Sequence, residues 1–276
     1  MKFSKIVLRT SIPIAIGILG FTASCMDPIE IELKDQGDTK LVVDGWMNKD
    51  ETAFIHLNYT LPYLQAGNLP PASGALITIT NGTATDTLIE QGSGTGFYAN
   101  KTLKAELNKT YTLKIKTTDG KEYYSVNQIP RGITIDSIYF LPLPFGLQRD
   151  RYFTNFSYQE NLGKGDCYWG RFYRNDSLMF EATDLYRSVT DDLFIDGQHL
   201  SNIGIGRPVS KGDKVRVEAL SITNECYQFL YRLLANTAQQ QNFSAPPPPS
   251  VVGNISNGAL GFFRTSSKHE VERMVQ

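Results

Sequence analysis

Histidine and cysteine are scarce in this 276-residue chain, three of each. Little material is left for metal or thiol chemistry. His56, His199 and His269 lie far apart and no Cys-x-x-Cys occurs, so the tight ligand spacing of a zinc site is missing. A basic excess is missing too: 27 Lys and Arg face 28 Asp and Glu, a net charge of −1. Without surplus positive charge to neutralise phosphates, the chain does not read as a nucleic-acid binder. With 23 Gly and 13 Pro, usage is near average, which excludes collagen-like and low-complexity chains. A bilayer-length apolar run is also lacking. The most apolar early stretch, residues 12–21, falls well short of the roughly 20 residues that span a membrane as a helix.

That short run has a recognisable setting. Lys2, Lys5 and Arg9 precede it, no acid occurs before Asp27, and Thr22-Ala23-Ser24 lead into Cys25. The order of positive charge, apolar stretch and small residues is that of a secretory signal over residues 1–24. A cysteine at its end resembles the bacterial lipoprotein signal, in which that residue is lipidated and becomes the new N-terminus. Cys25 is therefore the expected lipid attachment point; the alternative is an ordinary cleaved signal with Cys25 incidental. Acyl chains there anchor a protein to a membrane by burying methylenes, at roughly 0.8 kcal/mol each. Without the signal, 24 basic residues face 28 acids, a net charge of −4. Residues 25–38 read as a polar tether.

From residue 39 onward, short runs of Val, Ile, Thr, Tyr and Phe alternate with turn clusters. Asn81-Gly82 and Asp119-Gly120 are hairpin signals, being residues that tolerate positive φ. About seven strands within residues 39–130 predict an immunoglobulin-like β-sandwich. Tyr111 resembles the tyrosine corner of such sandwiches, where the hydroxyl bonds back to upstream backbone; the alternative is a strand that merely begins with an aromatic residue. Residues 131–276 predict a second β-rich domain carrying one α-helix near residues 224–238. Thr223 caps that helix, and Tyr227, Leu230, Leu233 and Leu234 form its apolar stripe. Residues 141–146 read as a loop at the domain junction, and the Pro246-Pro247-Pro248-Pro249 run as an extended spacer.

The order of segments resembles a family of Bacteroidota lipoproteins known as domain of unknown function 4249. The resemblance is carried by Asp27-Pro28-Ile29-Glu30-Ile31 after the cysteine, Leu41-Val42-Val43-Asp44-Gly45-Trp46, and Ile129-Pro130 with Ile135-Asp136-Ser137-Ile138. It continues through Gly212-Asp213, Tyr227 and Leu230, and the stretch from Pro248-Pro249 to Gly261-Phe262-Phe263. The resemblance implies an outer-membrane or surface lipoprotein, often encoded beside a TonB-dependent outer-membrane receptor. It brings no catalytic residue. Asp86-Thr87-Leu88, Asp136-Ser137-Ile138 and Asp176-Ser177-Leu178 are also similar to the O-glycosylation motif of exported proteins in that phylum.

Reactive constellations are few. His269-Glu270 starts like a His-Glu-x-x-His zinc helix, but Arg273 stands at the fifth position, so the pair reads as part of a polar C-terminal tail. Asp184, Asp191, Asp192 and Asp196 offer oxygen ligands for calcium, yet lack the order of a calcium loop, and a solvated acidic loop is the expected reading. Gly92-Ser93-Gly94-Thr95-Gly96 has its serine misplaced for a nucleophile elbow and reads as a hairpin connection. Neither a cofactor nor a metal is expected, and no catalytic residue is named. Cys167 and Cys226 form either a disulfide pinning helix to sheet or two buried thiols. Trp46, Tyr98 and Trp169 are the aromatic candidates for a ligand platform, though such residues are more often core than binding surface. The expectation is a non-enzymatic surface lipoprotein that captures a ligand of unknown identity. A surface glycan or peptide hydrolase and a structural or adhesion component of the envelope are the alternatives.

Overall fold

The computed structural model describes residues 39–62, 65–144, 150–179, 188–239 and 251–276. The signal, Cys25, the tether, Asp184, the proline run and part of the 141–146 loop lie outside the described residues. The chain is mainly β with a single helix among the described residues. Its first seven strands are β1 (Leu41–Asn48), β2 (Ala53–Tyr59), β3 (Leu76–Thr80), β4 (Thr85–Glu90), β5 (Phe97–Ala99), β6 (Thr110–Lys116) and β7 (Glu122–Gln128).

Alternation builds these strands. In β6 and β7 every second residue is buried, so each strand has one wet face. Gly82 (φ 91°) turns β3 into β4 and Gly120 (φ 83°) turns β6 into β7, as the Asn-Gly and Asp-Gly pairs predict. Strand β4 pairs with β3 over residues 85–88 and with β5 at Ile89 and Glu90. The strand thereby passes from one layer to the other, and the sheet folds over a core that includes Val43, Ile55, Leu57, Ile77, Ile79, Leu113 and Ile115. The Tyr111 hydroxyl accepts the Glu106 N–H at 2.8 Å and donates to the Lys104 carbonyl at 3.2 Å. That is the tyrosine corner, and it satisfies a hydroxyl whose residue is otherwise buried.

Later strands are β8 (Ile135–Pro142), β9 (Arg151–Gln159), β10 (Cys167–Arg174), β11 (Ser177–Leu178), β12 (Val189–Asp191), β13 (His199–Ser210), β14 (Lys214–Ile222) and β15 (Leu260–Met274). Helix α1 (Asn224–Gln239) lies between β14 and β15 in the chain. The Thr223 hydroxyl accepts the Cys226 N–H at 3.2 Å, so the cap is where the sequence places it. Strand β15 runs parallel to β1 on one side and antiparallel to β14 on the other. The large sheet therefore follows the order β11-β10-β14-β15-β1-β2-β5-β4-β3-β6-β7, while β13-β9-β8 forms a separate small sheet.

Placement of β15 corrects one expectation. His269-Glu270 belong to an interior strand, not to a polar tail. One face of the β10-β14-β15 region packs on the small sheet through Phe156, Tyr158, Phe172, Val215 and Val217. The other face is covered at one end by α1, through Leu220, Ile222, Cys226, Leu230, Leu234 and Phe262. Asp38–Gln276 forms one compact unit with distinct cores in its two halves. Among the described residues no helix is long and apolar enough to cross a membrane.

Candidate functional site

Where α1 stops covering the large sheet, a cleft of about 430 Å³ opens on the sheet face. Its walls follow from strand pairing, because directly opposed residues share a face. Across β10 and β14, Trp169 faces Leu220 and Arg171 faces Glu218; across β15 and β1, Phe262 faces Asp44 and Arg264 faces Trp46. The helix contributes Cys226, Phe229 and Leu230. Thus β10 sends Trp169 and Arg171 into the cleft and β14 sends Glu218 and Leu220, while Tyr168, Phe172, Val217 and Ala219 pack toward the small sheet. Beyond it the same face continues as an aromatic strip. Trp46 stacks on Phe54 at 5.6 Å between centroids, and His56 stacks on Phe97 at 3.8 Å.

Charge in the cleft is organised around Trp169. The Arg171 and Arg264 guanidinium carbons lie 5.4 and 5.6 Å from its ring centroid, within cation–π range. Glu218 is buried and serves as counter-ion to Arg216 and, at 3.5 Å, to Arg171, with the Tyr173 hydroxyl donating to it at 3.2 Å. Glu51 pairs with Lys268 at 2.7 Å and accepts the Asn48 amide at 2.7 Å. Burial pushes the Glu51 pKa up, but its Lys268 and Asn48 bonds outweigh that and hold it below the ordinary value. Desolvation holds the Arg264 guanidinium below its usual pKa, since burial disfavours the charged form.

The sequence candidates divide clearly. Trp46 and Trp169 both line the cleft. Tyr98 does not: it is a core residue whose hydroxyl donates to the Ala72 carbonyl at 2.8 Å. Cys167 and Cys226 are unbridged, buried thiols in one cluster beneath α1. Burial pushes them up to about 11 and about 12, so neither is a nucleophile at neutral pH. His56 contacts Asn58 and Phe97, His199 pairs with Asp136 at 3.2 Å, and His269 Nδ1 accepts the Ile135 N–H. In the triplets similar to glycosylation motifs, Thr87, Ser137 and Ser177 are exposed, while Leu88 and Ile138 belong to the cores.

The acidic loop also resolves differently from its sequence. Asp192 joins Glu160 and Asp166, with carboxylate oxygens within 4.8 Å of one another. Among the described residues these three are the group able to hold a metal, and each already has at least one oxygen engaged. Asp166 receives Arg131 Nε, Glu160 receives the Tyr168 hydroxyl and the Gly197 N–H, and Asp192 receives the N–H groups of Gly165 and Asp166. Asp196 instead accepts the Gly163 N–H at 2.6 Å, and Asp191 accepts that of Leu193. The cluster ties two loops together.

Sequence reasoning missed Arg171, Arg264, Glu218 and Phe262. Arg171 alternates with Phe172 along β10 and Glu218 with Val217 along β14, a pattern that marks a strand without showing what its charged face meets. No curated protein matches the chain. Residues 26–272 match the family described as Domain of unknown function (DUF4249), and the chain belongs to that family.

Proposed function

We propose that this protein is a lipid-anchored, non-catalytic ligand-capture protein of the outer membrane or cell surface, working beside a TonB-dependent receptor. The observation that carries the reading is the cleft. It combines aromatic walls with a few convergent polar groups on a rigid sheet, the usual make-up of a small-molecule site. The lipid at Cys25 is supported by the signal that precedes it, and the receptor by the family resemblance.

The cleft does contain carboxylates, Asp44, Glu51 and Glu218, so a glycan hydrolase is the second reading. A glycosidase acid must keep a proton near neutral pH, which needs a raised pKa. Glu51 is shifted the other way, and Glu218 already balances two guanidiniums. The arrangement favours binding over hydrolysis.

Affinity purification of the full-length protein from native outer membranes tests the proposal. A receptor barrel is expected to copurify with the wild type and to be lost or reduced with Cys25→Ala, which takes up no labelled palmitate. Repeated recovery without a barrel overturns the partnership, and equal palmitate labelling of both proteins overturns the anchor.

A further inference from the structure

The capture reading leaves the ligand open, and the charges in the cleft narrow it. Most of them are matched inside the protein. Lys268 has Glu51 at 2.7 Å and Glu270 at 3.7 Å; Arg216 has Glu218 and, at 3.6 Å, Glu270. Arg264 differs. Among the described residues its guanidinium bonds only to neutral oxygens, Asn48 Oδ1 at 3.2 Å and Ser266 Oγ, both through Nη1. Its neighbour across Trp169, Arg171, has a buried Nε with no acceptor among the described residues. Two guanidiniums thus flank one indole in the cleft, Arg264 without an ion pair and Arg171 paired with Glu218 through Nη1 alone. Asp44 and Glu51 act on Arg264 through space, but neither lies at ion-pair distance. A desolvated cation without a direct acidic partner is costly, and a planar oxyanion that accepts from both guanidiniums is its natural complement. Trp46, Trp169, Phe229 and Phe262 supply ring faces beside it.

Resting on that capture reading, we propose that the cleft takes a ring-bearing organic anion, its carboxylate or phosphate on Arg264 and Arg171 and its ring against the tryptophans. Those are the chain's two tryptophans, and both line the cleft, so indole emission reports occupancy without a label. Full-length protein in detergent is titrated with benzoate, glucuronate and phenyl phosphate, and with the neutral benzyl alcohol and glucose, at constant ionic strength.

At least one anion is expected to give a saturable change with an affinity about tenfold or more above that of its neutral counterpart, the scale of one charge-assisted contact. Arg264→Gln should lose about tenfold of that affinity and Arg264→Lys less, since the ammonium keeps the charge but not the fork. Arg171→Gln is the second variant should Arg264→Gln not fold, with far-UV circular dichroism as the check. Response to the carboxylates alone or to phenyl phosphate alone identifies which oxyanion is bound, and either supports the site. Three results overturn it: no anion titrating at tens of millimolar, neutral probes binding equally well, or both glutamine variants binding like wild type. Binding without receptor recovery removes only the partner, and receptor recovery without binding removes only the ligand class.

Discussion

The Asp86 carboxylate, on β4, gathers four donors on Oδ2: the Thr102 hydroxyl and N–H, the Leu103 N–H and the Asn100 amide, at 2.6 to 2.9 Å. These bonds fasten the segment between β5 and β6 to the sandwich. The Thr102 hydroxyl is the largest influence, and together the donors hold the carboxyl well below the usual range. A depressed folded pKa stabilises the fold above the unfolded value, about 4, and that stability is lost as pH falls toward the folded one. Glu90, lowered chiefly by the Gly96 N–H, has the same sign. Asp86→Asn should therefore be less stable than wild type at pH 7 and show a shallower loss of urea midpoint between pH 4.5 and 2, the two curves converging at the acid end. Parallel curves would show that Asp86 contributes nothing through its charge.

Among the elements, β15 carries the most architecture for the least visible sequence signal. Gly261 opens it at φ 93°, paired with Val43, and a Cβ there would stand 2.0 Å from the Val43 carbonyl oxygen. Gly258, at φ 72°, has nothing within 4 Å of the equivalent position. Both glycines share the strain of a left-handed conformation, so comparing them isolates the close approach of β1 and β15. Gly258→Ala should cost about 1 kcal/mol. Gly261→Ala should cost about 3 kcal/mol or more, or prevent folding, because β1 and β15 must separate. Equal urea midpoints for the two variants would mean that the strands separate without cost.

The same strand shows where legibility stopped. Strands β6 and β7 were readable because Tyr111, Leu113 and Ile115 alternate with Thr112, Lys114 and Lys116, and because Asp-Gly sits between them. Helix α1 was readable from Thr223 and its leucine stripe. In β15 the buried face carries Thr265 and Ser267, whose hydroxyls bond to the carbonyls of Gln128 and Pro130, while Arg264, Lys268 and Glu270 occupy the other face. Polar residues on both sides hide an interior strand from any pattern based on hydrophobicity. The cleft was hidden for the related reason that its residues come from four strands and a helix spread along the chain from Asp44 to Lys268.

For the molecule as a whole, β15 decides how the two halves depend on each other. The core of the first half includes Ile255, Ala259 and Phe263, residues that follow α1 in the chain. That sandwich is therefore not closed until the C-terminal strand is in place between β1 and β14. Burial of apolar side chains from both ends of the sequence in one core makes folding of the first half conditional on the second. Chains beyond about 150 residues commonly unfold through intermediates. Here the shared strand should suppress them, and Asp38–Gln276 should unfold in one transition. The two tryptophans allow a test by half, since Trp46 lies on β1 and Trp169 on β10. In Trp169→Phe, emission follows the first half; in Trp46→Phe, it follows the second. Within each variant, the urea midpoint from emission should coincide with that from far-UV circular dichroism. Separated midpoints in either variant would show that one half unfolds while the other stands, and that β15 leaves its neighbours independent.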